Sequence, residues 1–251
     1  MISVVINYCT IDERFIRVCI NEALKISNDI IIPVSDHLYD GTRENIESIR
    51  KLMHEYKDKS VRIVMYDWHI SKPPRYWHNY SRYIGRLFSK AENKYILFID
   101  SDEIVDADLF KQFLLSNNLE KYITYKFDCY WYFRDPTYRA RTIENSQVMI
   151  HKDYFKINLD NPHAEREQFF EHLQIDNNTK LNHVRVNNVP MFHHYSWVRT
   201  KEQMLSKVRA WGHKNDKDWV GLIEQEFSRE FNGTDFVHNY SYDIVANRFN
   251  L

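Results

Sequence analysis

Residues Tyr95 to Glu103 read YILFIDSDE. Asp100, Asp102 and Glu103 place three carboxylates within four residues, with Ser101 between the first two. Carboxylates this close repel one another unless positive charge sits among them. Oxygen donors at this density suit a hard cation, Mg²⁺ or Mn²⁺. The uncharged run in front of them, Tyr95 to Ile99, has the composition of a strand buried on both faces. The acidic cluster then falls at the strand's carboxyl end, where open α/β sheets bind ligands. A buried strand followed by a solvated acidic turn would give the same residues.

Other residues carry chemistry that fits beside such a cluster. In the helical pattern just upstream, Tyr80, Tyr83, Ile84, Leu87, Phe88 and Ala91 form one apolar stripe. Asn79, Arg82 and Arg86 line another face at spacings of three and four. Two arginines so placed bridge a diphosphate, or form an ordinary solvated face. Further along stand His193 and His194. Imidazole joins carboxylates as an Mn²⁺ ligand, but neighbours on an extended chain point to opposite faces, so only one can serve a given site. Asp36 and Asp67 each follow a strand-like run, where a carboxylate accepts from a base N–H or a ribose hydroxyl; turn chemistry is the alternative for both.

The elements that must hold these residues are legible in the first half. Strand patterns fall at 2–7, 30–34, 61–66 and 95–99. Helical patterns alternate with them: 12–26 with Asp12 as its cap, a helix capped by Thr42, one from about 75 to 91, and a short one from about 106 to 115. This alternation predicts a mostly parallel sheet with right-handed crossovers. The second half differs. Segments 122–133 and 146–151 read as strands separated by a charged loop, 156–182 as irregular, and 189–197 as extended. Thr200 and Gln203 form a capping box that opens a helix with Met204, Leu205, Val208 and Trp211 on one face. The expectation is a single domain over 1–251 in two parts, 1–115 and 116–251.

Composition narrows the function. The chain has 251 residues and a net charge of -1, which gives no global field toward nucleic acid or anionic lipid. Three scattered cysteines form neither a zinc spacing nor a disulfide framework. No apolar run approaches a membrane span, and strand-like sequence begins at Ile2, so the expected location is cytoplasmic with no transmembrane segment. Only five glycines are present and no phosphate-cradling glycine motif, so phosphates must be held by side chains and metal. Aromatic residues make up 15%, as core or as platforms for sugar rings; Tyr130, Trp131 and Tyr132 admit both readings.

Four stretches together resemble a GT-A nucleotide-sugar glycosyltransferase of the family-2-like group: VVINY, VSDHLYDGT, NYSRYIGRLFSKAENKYILFIDSDE and HHYSWVRTKEQMLSKV. The resemblance implies a Rossmann-like GT-A fold with a mixed, irregular C-terminal acceptor half. It implies that Asp100 and Asp102 form a DXD motif, with Asp102 on the metal and Asp100 on ribose or metal, and that His194 completes the metal or diphosphate site. Nucleotide-sugar contacts are expected at Tyr8, Asp36, Asp67, Arg82, Arg86, Asp100 and Ser101. The implied cofactor is Mn²⁺ or Mg²⁺, the donor a nucleoside diphosphate sugar with UDP as the default, and the acceptor a hydroxyl on a carbohydrate or glycan. The chain departs from the pattern at the catalytic base, for which it has no recognisable Glu-Asp pair. Within NLDNPHAEREQFFEH, Glu165 or Glu167 is favoured over Asp160 and Glu171, and the inverting outcome depends on that residue. A sugar nucleotidyltransferase is one alternative, disfavoured by the missing glycine-rich loop after the first strand. A non-catalytic carbohydrate-binding module on a transferase fold is another.

Overall fold

The computed structural model describes residues 2–161, 166–170, 173, 179–210 and 214–251. Four parallel strands form one side of the sheet: β1 (Ile2–Asn7), β2 (Ile30–Ser35), β3 (Val61–Tyr66) and β4 (Tyr95–Asp100). Between them run α1 (Glu13–Leu24), α2 (Ile46–Tyr56) and α3 (Pro74–Phe88). β1 and β2 are buried along their whole length, as apolar runs covered on both faces should be. The helices bring apolar stripes to this layer, with Phe15, Ile16, Cys19, Ile20 and Ala23 buried on α1. Two caps differ from expectation. Asn45, not Thr42, caps α2, its side chain accepting from Ser48 N–H at 3.1 Å. Thr42 instead closes a turn in which its own N–H donates to Asp40 Oδ1 at 2.9 Å. Asp12 precedes α1 but makes no capping hydrogen bond, because its carboxylate is used elsewhere.

The second half adds β5 (Glu103–Val105), α4 (Ala107–Ser116), β6 (Thr124–Phe133), β7 (Asp135–His151), β8 (Lys180–Val184), β9 (Phe192–Trp197), α5 (Lys201–Ala210), α6 (Trp219–Phe227) and β10 (Tyr242–Ile244). The charged loop expected between two strands is itself strand: β7 runs 17 residues and pairs antiparallel with β6. Its polar residues, such as Arg141 and Thr142, are on an exposed stretch, which hides the strand from a reading based on hydrophobicity. The capping box is present: Thr200 Oγ1 accepts from Gln203 N–H at 3.3 Å, and Gln203 Oε1 accepts from Thr200 N–H at 3.0 Å. Trp211, expected on the same helix face, lies outside the described residues. No helix among those described is long and apolar enough to cross a membrane.

Among the described residues the strands form one ten-stranded sheet whose main path is β3-β2-β1-β4-β7-β6-β9-β5. Strands from both halves of the chain share it. The mostly parallel first half, flanked by helices, continues into a mixed second half, which is the Rossmann-like GT-A architecture. One constraint shapes this sheet. β4 and β5 are separated only by Ser101 and Asp102, yet they stand four places apart in strand order. Laid flat, four steps would span roughly 19 Å at the usual inter-strand spacing. Three Cα–Cα steps from Asp100 to Glu103 reach at most about 11 Å. The sheet must therefore curl until its last strand meets the end of β4. Ser101 N–H still donates to the Asn7 carbonyl on β1, at 2.9 Å, while the Asp102 carbonyl accepts from Tyr195 N–H on β9, at 2.8 Å. The acidic corner is the seam of the curl.

Close packing at the first helix–sheet layer depends on Gly85 of α3. A Cβ built there would lie 2.3 Å from Val5 Cγ1 on fully buried β1. Overpacking of this kind costs about 1–3 kcal/mol. Gly85→Ala should lower stability by that amount in urea unfolding; an unchanged midpoint would show that α3 does not need this approach to β1.

Candidate active site at the seam of the sheet

Asp102 and Glu103 are buried, Asp100 is half-buried, and cations surround all three. Glu103 is 1% exposed. Arg166 grips it as a fork, Nη1 to Oε1 at 3.0 Å and Nη2 to Oε2 at 2.8 Å, and Nη2 also lies 2.8 Å from Asp100 Oδ2. On its other oxygen Asp100 has Arg82 Nη2 at 3.6 Å, His78 Nε2 at 3.7 Å and Asn7 Nδ2 at 3.3 Å. Asp102 Oδ2 accepts from Lys207 Nζ at 2.9 Å and lies 3.4 Å from Arg199 Nη2. Its Oδ1 is 3.7 Å from His194 Nε2. Arg199 also pairs with Asp12, whose second oxygen accepts from Ser101 Oγ at 2.9 Å.

Burial alone would raise these carboxyls, but the surrounding cations outweigh it. Asp100 is held well below the usual carboxylate range, chiefly by Arg166, with His78 and Arg82 adding to it. Asp102 is brought to about 2 by Lys207, His194 and Arg199. Both stay ionised at neutral pH.

The two histidines of β9 separate as extended neighbours must. His194 lines the cavity. His193 turns into the core, where its Nδ1 is 2.8 Å from Tyr132 Oη and burial lowers its pKa to about 3. The aromatic triplet on β6 divides the same way. Trp131 lines the cavity and packs edge-on to His194 at 4.7 Å, whereas Tyr132 is core.

The cavity beside the corner measures about 620 Å³. At one end Asn7 of β1 and the loop residues Tyr8, Leu38 and Tyr39 contribute; at the other stand Trp131, Trp197, Trp219 and His238. Asp100, Asp102, Glu103, Arg166, His194 and Lys207 lie among the remaining lining residues. A volume of this order suits a nucleotide-sized ligand.

The remaining expected site residues fall as follows. Tyr8 is in the lining, its hydroxyl donating to Glu13 Oε2 at 2.5 Å. Ser101 is buried behind the corner on Asp12. Asp36 Oδ1 accepts from Trp68 N–H at 2.9 Å and sits 3.0 Å from His37 Nδ1, beside the cavity rather than in its lining. Asp67 is exposed after β3 and is also outside the lining. Arg82 and Arg86 do not converge: Arg82 backs Asp100, while Arg86 Nε donates to the Lys152 carbonyl at 3.3 Å. Asp160 pairs with Lys72 at 2.7 Å. Glu165 and Glu171 lie outside the described residues, as does the side chain of Glu167. The residue of that acidic stretch that the structure brings to the corner is Arg166.

Arg82 and His194 were expected at the site, but three further cations were not. Arg166, Arg199 and Lys207 are 63 to 105 positions from the carboxylates they meet. His78 had a local signal, since it shares a face with Arg82 at a spacing of four.

Among the described residues no group of three or more His, Cys, Asp or Glu is placed to hold a divalent cation, so Asp100, Asp102 and His194 do not form a ready-made triad. Asp102 Oδ1 and His194 Nε2 do face each other across 3.7 Å. One carboxylate oxygen and one imidazole, completed by phosphate oxygens and water, fit the habits of Mg²⁺ and Mn²⁺, which are seldom caged by protein alone.

No family model matches the chain, and no curated protein does. Solved structures do. Residues 1–349 of TarS from S. aureus, in complex with UDP, superpose with a TM-score of 0.50 and 11% identity, over 92% of this chain and 73% of that one. The 4-diphosphocytidyl-2C-methyl-D-erythritol synthase of Anaerococcus prevotii gives 0.43 and 12%, over 82% of this chain and 94% of that one. The inositol-1-phosphate CTP transferase of T. maritima gives 0.39 and 9%, over 61% and 71%. At 11% identity, what this chain shares with the UDP-bound TarS structure is the fold.

Asp102 carries a prediction about stability. Its folded pKa of about 2 lies below the unfolded value of about 3.9. The stabilisation from its ionised form is therefore complete above about pH 4 and is lost as pH falls toward 2. Asp102→Asn leaves Lys207 and Arg199 facing a neutral group, at a cost near the lower end of the ~3–5 kcal/mol for a broken buried pair. The variant should be less stable at pH 7, with a shallower loss between pH 4 and 2 in denaturant titrations. Parallel pH profiles for wild type and variant would refute this electrostatic assignment.

Proposed function

We propose that the chain is a glycosyltransferase that moves a sugar from a nucleoside diphosphate, UDP by preference, to a hydroxyl on a carbohydrate acceptor, with inversion at the anomeric carbon. The observation that carries the reading is the convergence of Asp102, His194, Lys207 and Arg166 on one cavity at the carboxyl end of the parallel strands. UDP bound by TarS, on a fold of the same kind, supports the choice of donor. The loop after β1, Tyr8-Cys9-Thr10, contains no glycine to cradle a triphosphate, which favours sugar transfer over nucleotidyl transfer.

The residues divide the work along the cavity. Asn7, Tyr8, Leu38 and Tyr39 offer a mixed polar and aromatic end for the nucleoside. Lys207 meets the diphosphate as a mobile point charge: its ammonium now shares its donors between Asp102 and Ser196 Oγ, the latter at 2.7 Å, and a phosphate oxygen takes one of them. Arg166, locked on Glu103 and Asp100, supplies a fixed positive field at the sugar end. A divalent cation, Mn²⁺ or Mg²⁺, held by Asp102 Oδ1 and His194 Nε2, would stabilise the charge of the departing diphosphate. Trp131, Trp197 and Trp219 wall the opposite end with aromatic surface suited to sugar rings. Excluding water there favours the acceptor hydroxyl over hydrolysis.

Calorimetry with UDP, with and without Mn²⁺, tests the reading. UDP should bind more tightly with Mn²⁺, and His194→Ala should remove most of that gain. Lys207→Met should lower turnover of the preferred UDP-sugar by about 10²–10³-fold, as for loss of one charge-stabilising donor. Absent or metal-independent UDP binding, or pyrophosphate release from a nucleoside triphosphate, would overturn the assignment.

A further inference from the structure

The carboxylates at the corner are poor candidates for taking a proton. Asp100 is paired with Arg166 and Arg82, and Asp102 with Lys207 and Arg199, and a carboxylate so paired is a weak base. Glu103 is buried in the fork of Arg166, and Asp12 is shared between Arg199 and Ser101. Asp216, also in the lining, has Arg75 at 3.6 Å. One carboxylate in the lining differs. Glu144, on β7, has no lysine or arginine partner among the described residues. Its neighbours are the Tyr240 hydroxyl, which donates to Oε1 at 2.9 Å, and His238, whose Nε2 is 3.9 Å away.

Its place in the strand brings it to the corner's cavity. Ser146 of β7 donates to Glu103 Oε1 at 3.3 Å and gives its carbonyl to Arg166. Glu144 is two residues away, across a β-bulge at Ser146, and lines the same cavity as Ser146, Glu103 and Trp131. It therefore stands in the lining between the corner and the aromatic wall. A folded loop holds its partners there. Buried Asp235 accepts from the N–H groups of Val237, His238 and Tyr240, at 2.7, 2.6 and 3.0 Å, and from the Tyr242 hydroxyl at 2.8 Å. His238 packs edge-on to Trp131 at 4.9 Å and stacks on Tyr240 at 5.0 Å. Burial and the Glu144 carboxylate push the Tyr240 hydroxyl up to about 12, so it remains a donor and orients the carboxylate. The other oxygen, Oε2, receives no hydrogen bond among the described residues.

We infer that Glu144 is the catalytic base and that the Trp131–His238 wall beside it is the acceptor subsite. This rests on the glycosyltransferase reading above. The Glu144 carboxylate takes the proton of the acceptor hydroxyl as that oxygen forms its bond to the anomeric carbon. The bond from the anomeric carbon to the diphosphate oxygen breaks in the same step, and the electron pair leaves with the diphosphate. His238 and Tyr240 act through Glu144 as positioning residues.

The test compares Glu144→Gln, Glu165→Gln and Glu167→Gln in UDP calorimetry and in transfer assays with the UDP-sugar the wild type turns over. Glu144→Gln should bind UDP within twofold of wild type and lose about 10²–10⁴-fold in turnover, the usual worth of a general base. Azide attacks without needing a base, so it should restore turnover in Glu144→Ala as the glycosyl azide of inverted configuration. A purely structural role would not give that rescue. Turnover of Glu144→Gln within threefold of wild type overturns the inference. So does loss confined to Glu165→Gln or Glu167→Gln, or no azide product from a Glu144→Ala that still binds UDP. A wild type that neither binds UDP nor consumes any UDP-sugar overturns the reading beneath it, and the inference with it.

Discussion

Two buried carboxylates and a half-buried third meet at a two-residue corner, and charge must be brought to them from elsewhere. Water cannot solvate Asp102 and Glu103 at 3% and 1% exposure, and a bare buried carboxylate is too costly to keep ionised. The curl of the sheet puts them there, because Asp100 ends the strand beside β1 while Glu103 starts the strand beside β9. The compensating cations come from α3, from the segment at Arg166, from the end of β9 and from α5. The corner thus ties the second half of the chain to the first.

The same arrangement suits the proposed ligand. A site already rich in arginine and lysine can transfer some of that charge to phosphate with little rearrangement, since the donors are in place before the ligand arrives. Lys207, with a flexible stem, is free to move; Arg166, forked on Glu103, is fixed. The carboxylates keep the cations oriented, the cations keep the carboxylates ionised, and Asp102 Oδ1 still faces His194.

What the sequence revealed follows from how local each signal is. The alternation from β1 to α4 and the acidic run were legible because periodicity and composition are local. The division of His193 from His194 was legible because extended neighbours must diverge. β5 was not, since Glu103–Val105 is too short for a pattern. The outer half of β7 read as a loop because its polar side chains lie on an exposed stretch. Arg166, Arg199, Lys207 and Glu144 were missed for one reason: each acquires its role from a partner or cavity that only tertiary structure supplies. Asp12 shows the converse, a good local cap whose carboxylate is recruited by Arg199 and Ser101 instead.

Binding of a nucleotide diphosphate at the corner of the seam is best checked by a crystal structure with UDP and Mn²⁺. The diphosphate should lie against the Asp102–His194 pair, with Lys207 Nζ moved from Asp102 Oδ2 to a phosphate oxygen and the uracil at the Tyr8–Tyr39 end of the cavity. Nucleotide bound away from this corner, or bound within the cavity with Lys207 still on Asp102 and no phosphate contact, would contradict it.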